Sequence, residues 1–91
     1  MTENIKVPFG VKEVTETEFS ETLEVTLDGR TFLMDSFMRN LAAGTLVSLE
    51  GSGVTSVQWK LSDGSIDSVL LTDLKEVLRI ATVQIRDFWA A

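Results

Sequence analysis

Apolar and polar residues alternate twice along this chain, and each alternation is broken by Asp-Gly. Leu23, Val25 and Leu27 alternate with Glu24 and Thr26, Asp28-Gly29 follows, and Arg30, Phe32 and Met34 resume the period. The arrangement recurs at Val57, Trp59 and Leu61, then Asp63-Gly64, then Ile66 to Leu71. Two such runs around Asp-Gly predict a β-hairpin, because a two-residue mirror-type turn wants positive φ at both central residues. In the first hairpin, Arg30, Phe32 and Met34 then share the face of Leu27, Val25 and Leu23, and Thr26 faces Thr31 on the outside. In the second, Leu61 is expected to face Ile66, Lys60 to face Asp67, Trp59 to face Ser68, Gln58 to face Val69 and Val57 to face Leu70. That register collects Val57, Trp59, Leu61, Ile66 and Leu70 on one face and Gln58, Lys60, Asp67 and Val69 on the other. A slip of one residue inverts both sets.

Each hairpin leads into a run with helical spacing. Asp35 is placed to cap a helix over 36–50, in which Phe37, Met38, Leu41, Ala42, Thr45 and Leu49 fall within about 140° of arc. Arg39, Asn40, Ala43 and Glu50 lie opposite. Gly44 costs about 1 kcal/mol inside a helix. Either it allows close packing, or the helix breaks there and 46–49 becomes a short strand. Gly51-Ser52-Gly53 is a connector. Thr72 is the expected cap of the closing helix, whose inward stripe is Leu74, Leu78, Ala81, Ile85 and Phe88, flanked by Val77 and Trp89. On its outer side Ile80 and Val83 are three apart and therefore neighbours on the surface. With Trp89 they form an apolar strip that a partner would cover.

The chain thus repeats one plan: hairpin, Asp-Gly turn, cap, helix. Residues 23–91 are expected to form a single α+β domain, two ββα units giving a four-stranded antiparallel sheet with two helices packed on one face. Residues 1–22 read as an acidic arm, with Glu3, Glu13, Glu16, Glu18 and Glu21 against Lys6 and Lys12. The arm is either a partly ordered tail or a strand that pairs with a neighbour's sheet edge, with 15–22 an equally good loose edge strand. Its aromatic residues, Phe9 and Phe19, join Ile80, Val83 and Trp89 as the candidate partner-contacting side chains.

Composition narrows the function. The chain of 91 residues has no histidine and no cysteine. The commonest general base, the commonest metal ligand and every thiolate site are therefore missing. No catalytic, cofactor or metal site is expected, and the chain reads as a non-enzyme. Asp63 and Asp67 are explained as a turn former and a cross-strand ion partner of Lys60. The Gly51-Ser52-Gly53 segment lacks the Gly-Lys-Ser/Thr of a phosphate loop. A net charge of −6, with the eight basic residues scattered, argues against nucleic-acid binding. No apolar run approaches the ~18 residues of a membrane span. Met1-Thr2-Glu3-Asn4 lacks the plan of a signal peptide, so a reducing cytoplasm is the expected place of folding.

Val25 to Phe32, Asp35, Trp59-Lys60-Leu61-Ser62-Asp63-Gly64 and Leu71-Thr72-Asp73-Leu74 together resemble an uncharacterised domain family. The family occurs in tailed-phage and prophage proteins, often at the end of tail-fibre or fibre-associated chains, and the likeness covers roughly 23–89. The resemblance implies a fold and a context rather than catalysis: a small structural protein of a phage tail or tail fibre. Such a protein is made in the host cytoplasm, resides in the virion tail, and binds another tail protein as a homo-oligomer or as part of a larger assembly. One alternative is a tail-fibre assembly factor that is absent from the mature particle. An alternative of another class is an acidic DNA-mimic inhibitor, against which the mixing of Lys and Arg among the acids argues.

Overall fold

The computed structural model describes residues 4–5 and 14–90. Its elements run β1 (Asn4–Ile5), β2 (Val14–Thr15), α1 (Glu16–Glu21), β3 (Glu24–Leu27), β4 (Arg30–Leu33), α2 (Ser36–Ser48), β5 (Ser56–Lys60), β6 (Ile66–Leu70) and α3 (Leu71–Ala90). The fold is α+β, and the expected order of two ββα units is present. The two hairpins are separate antiparallel ladders, β3–β4 and β5–β6, rather than one continuous ladder of four strands. A backbone bond from Ser62 N–H to the Thr31 carbonyl, 2.9 Å, ties the turn of the second to the first.

The first hairpin has the register read from its alternation. Val25 pairs with Phe32, Thr26 with Thr31 and Leu27 with Arg30. Asp28 and Gly29 both adopt positive φ, 54° and 78°, as a two-residue mirror-type turn demands. The hydroxyls of Thr26 and Thr31 lie 3.0 Å apart on the outer face. On the inner face Leu23, Val25, Phe32 and Met34 are buried.

The second hairpin departs from expectation by one residue. Lys60 pairs with Ile66, Trp59 with Asp67, Gln58 with Ser68 and Val57 with Val69. The cause is in the loop. Asp63 keeps a negative φ and uses its side chain instead: Oδ1 accepts from Ser65 N–H at 2.9 Å and from Ser65 Oγ at 2.6 Å. Those bonds hold the Asp63 carboxyl below its ordinary pKa, with the hydroxyl of Ser65 the first cause and its backbone N–H the second. Gly64 alone takes positive φ, 90°. Gly64 N–H bonds to the Leu61 carbonyl, and Leu61 N–H to that of Ser65. The turn is therefore a three-residue loop closed by a glycine bulge. This slip carries Val69 into the core and turns Ile66 and Leu70 out to solvent, 61% and 51% exposed. Trp59 stays buried, as expected. Lys60 has lost its predicted partner, and Asp67 faces Arg30 instead.

Arg30 joins the parts. Its Nη1 donates to the Ser68 carbonyl at 2.9 Å and to Asp67 at 3.4 Å, and its Nη2 donates to Asp73 of α3 at 3.4 Å. One guanidinium therefore holds both hairpins to the closing helix.

α2 starts at its expected cap: Asp35 Oδ1 accepts from Met38 N–H at 2.8 Å. It ends at Ser48, two residues short of 50, and does not break at Gly44. Its phase differs from the amphipathic reading. Ala42 is fully buried and Met38 and Leu46 pack on the core, whereas Phe37 and Leu41 point outward. Arg39, expected on the wet side, turns inward, where Nη1 donates to the carbonyls of Met34 and Ser20 at 2.7 and 2.9 Å. Those two acceptors fix the rotation of the helix.

α3 begins one residue before Thr72, so Thr72 is inside the helix rather than its cap. Leu71 N–H instead bonds to the Thr55 carbonyl at 2.9 Å. Leu74, Val77 and Ala81 are fully buried, and Leu78 and Ile85 pack beside them. Val77, expected on a flank, is central. Together with Phe32, Met34, Trp59 and Val69 these residues make one core.

Candidate interaction surface

The candidate contact residues meet different fates. Phe9 lies outside the described residues. Phe19, expected to reach a partner, is used within the chain. Residues 16–21 are helical rather than a loose strand, and the Phe19 ring stacks on Phe88 at 4.4 Å and 13°. α1 is thereby docked on α3. An aromatic pair adds roughly 0.5–1.5 kcal/mol to its area burial. Phe19→Ala is therefore expected to lower stability by about 1–2 kcal/mol in urea unfolding. An unchanged midpoint would show that this docking contributes nothing.

Ile80 is half-buried and packs against the core. Val83 and Trp89 are exposed, 42% and 62%. Six residues apart, they diverge by about 120° around the helix axis. They do not make one strip with Ile80. Beside them Glu76 accepts both Arg79 Nε and Nη2, at 2.9 and 2.6 Å, a bidentate pair in open solvent. It lowers the Glu76 pKa and raises that of Arg79. Exposed pairs of this kind hold little stability.

Other exposed apolar side chains include residues expected in the core. Phe37 and Leu41 on α2, and Ile66 and Leu70 on β6, are exposed, and Val47 reaches 73%. Periodicity could not reveal the α2 residues, because that helix has apolar side chains on both sides: Met38, Ala42 and Leu46 face in, and Phe37, Leu41 and Val47 face out. The available signal was the charge pattern. Arg39 is the single charged residue of α2, so a wet face defined by charge was never there.

Two shallow grooves lie beside α2. One, about 480 Å³, lies between Phe37, Met38, Leu33 and the second turn at Leu61 and Asp63. The other, about 400 Å³, lies between Leu46, Val47, Val54 and Leu71. The acids near the first are already committed, Asp35 to its helix cap and Asp63 to its turn. Among the described residues no group of three or more acids could hold a metal ion. No family model, curated protein or solved structure matches this chain.

Proposed function

We propose that this protein is a small non-enzymatic structural component of a bacteriophage tail or tail fibre, held in the particle through another tail protein. The observation that carries the interaction half of this reading is the exposure of large apolar side chains on ordered elements. Phe37, Leu41 and Val47 lie on α2, Ile66 and Leu70 on β6, Trp89 on α3. Scattered exposed apolar residues are ordinary, but three on α2 and two on β6 favour a chain that is covered in its working state. The phage context rests on the resemblance of the two Asp-Gly hairpins and the Leu-Thr helix start. In that context the chain is made in the host cytoplasm and ends in the virion.

Mass spectrometry of purified particles is the test. The expected result is this chain at a fixed stoichiometry with a tail protein. Its absence from particles together with co-purification with assembling fibres would replace the structural role by that of an assembly factor. Absence from both would remove the phage reading.

A further inference from the structure

We propose that α1 is a latch: the Phe19 ring on Phe88 and the Ser20 carbonyl on Arg39 hold residues 16–21 reversibly to α3 and α2, and the segment opens as a unit while the rest of the fold stays closed. Phe88 and Arg39 are then a seat whose resident occupant is this chain's own α1. Of the side chains at 17–22, Phe19 and Ser20 are half-buried and the others are exposed. The rings stack at 4.4 Å, and Arg39 Nη1 donates to the Ser20 carbonyl at 2.9 Å. That carbonyl lies in the last turn of α1, where no intrahelical donor is left to meet it. Six residues fall well below the ~12–15 at which an isolated helix holds in water, so α1 is helical because it is docked.

The bonds around α1 divide into those that travel with it and those that stay. Ser20 Oγ donates to the Thr17 carbonyl at 3.3 Å and Thr22 Oγ1 to that of Glu18 at 2.6 Å, both within the segment. Leu23, next in sequence, is buried, and its carbonyl accepts from Met34 N–H at 2.7 Å. The fixed fold begins there, and Thr22 is the hinge. Opening strands no buried charge. Arg39 Nη1 keeps the Met34 carbonyl at 2.7 Å, and its half-buried side chain can take water in place of Ser20.

Chain order fixes what the latch carries. β2 runs into α1 with no residue between them, and β1 pairs with β2, Asn4 with Thr15 and Ile5 with Val14. The N-terminal ladder is therefore joined to the core through α1. One ring stack and one bond to a guanidinium hold that joint, whereas Phe32, Met34, Leu74 and Val77 behind it are fully buried. Weakly held units of this kind open below the threshold of global unfolding. Covalent attachment keeps the resident segment at a high effective concentration, so the seat is closed most of the time. The latch is independent of the phage context: particle composition and opening of the pure chain can fail separately.

Hydrogen exchange of the full chain, followed by NMR, tests the opening. The amides of Ser20 and Glu21 are expected to exchange at least about 100-fold faster than those of Val77 and Ala81, and Phe88→Ala is expected to speed them by a further factor of about ten. Equal protection of α1 and α3 would make α1 integral and overturn the latch. Unprotected amides that Phe88→Ala leaves unchanged would mean that α1 is not docked, and overturn it too. A peptide of residues 14–22 added to the full chain tests the seat. It is expected to shift the Arg39 and Phe88 resonances of the Phe19→Ala chain at a concentration at least about ten-fold lower than wild type needs, because the resident ring no longer competes. The same peptide with alanine in place of Phe19 should shift neither. Equal response of wild type and Phe19→Ala, or no response from either at millimolar peptide, overturns the proposal. A Phe19→Ala chain that fails to fold would show α1 to be part of the core and overturns it equally.

Discussion

Trp59→Ala is expected to destabilise the protein by about 3–5 kcal/mol, the range for truncating a buried aromatic residue. The indole is 5% exposed on the inner face of β5, in one cluster with Phe32, Met34, Val69, Leu74 and Val77, all five of which are fully buried. Both hairpins and α3 contribute to that cluster, so no single element can move to close the cavity. Against a typical total of about 5–15 kcal/mol for a domain, the loss is large. Trp59→Phe removes the indole N–H and only part of the ring volume. No acceptor among the described residues reaches the buried Trp59 Nε1–H, so phenylalanine forfeits no protein hydrogen bond and removes a group that is costly to bury unpaired. It leaves a smaller cavity than alanine does and should therefore cost less than Trp59→Ala. Guanidinium unfolding followed by circular dichroism measures both. A Trp59→Ala protein that unfolds at the wild-type midpoint would mean that the ring is not core.

The two hairpins show what the sequence can and cannot specify. Both carry Asp-Gly between alternating runs, yet they close differently. Asp28 has Arg30 two residues on and takes positive φ. Asp63 has Ser65 two residues on, and that N–H and hydroxyl satisfy its carboxylate in a conformation with negative φ. The competing interaction is local and could have been weighed from the residues. The second reason could not: Ser62 N–H is taken by the Thr31 carbonyl of the other hairpin, a contact set by the tertiary fold.

The same division runs through the interaction surface. The inward stripe of α3 was legible because charges line its far side. The phase of α2 was not, since its polar residues are uncharged and its one arginine is held inward by two carbonyls from other elements. A basic side chain ordinarily marks solvent, whereas here it satisfies backbone acceptors. Phe19 was obscured in another way. Its partner, Phe88, lies near the other end of the chain, and no local pattern in 1–22 announces the pair.

The sharpest test of the second hairpin compares neighbours in β6. Val69→Asp is expected to cost more than about 3 kcal/mol, and Leu70→Asp to stay within about 0.5 kcal/mol. Val69 is fully buried opposite Val57, so an aspartate there would place a carboxylate among Trp59, Leu74 and Val77 with no cation to meet it. Arg30, which bonds to Asp67 and to the Ser68 carbonyl, is already engaged with Asp73 as well. Leu70, one residue on, faces outward and is half exposed. A two-residue turn at Asp63-Gly64 predicts the reverse order, because it would bury Leu70 beside Val57 and leave Val69 wet. Strand pairing has a period of two, so the two registers give opposite answers for every residue of β6. Thermal unfolding of the two variants decides between them. Greater damage from Leu70→Asp would restore the two-residue turn and remove Val69 from the core.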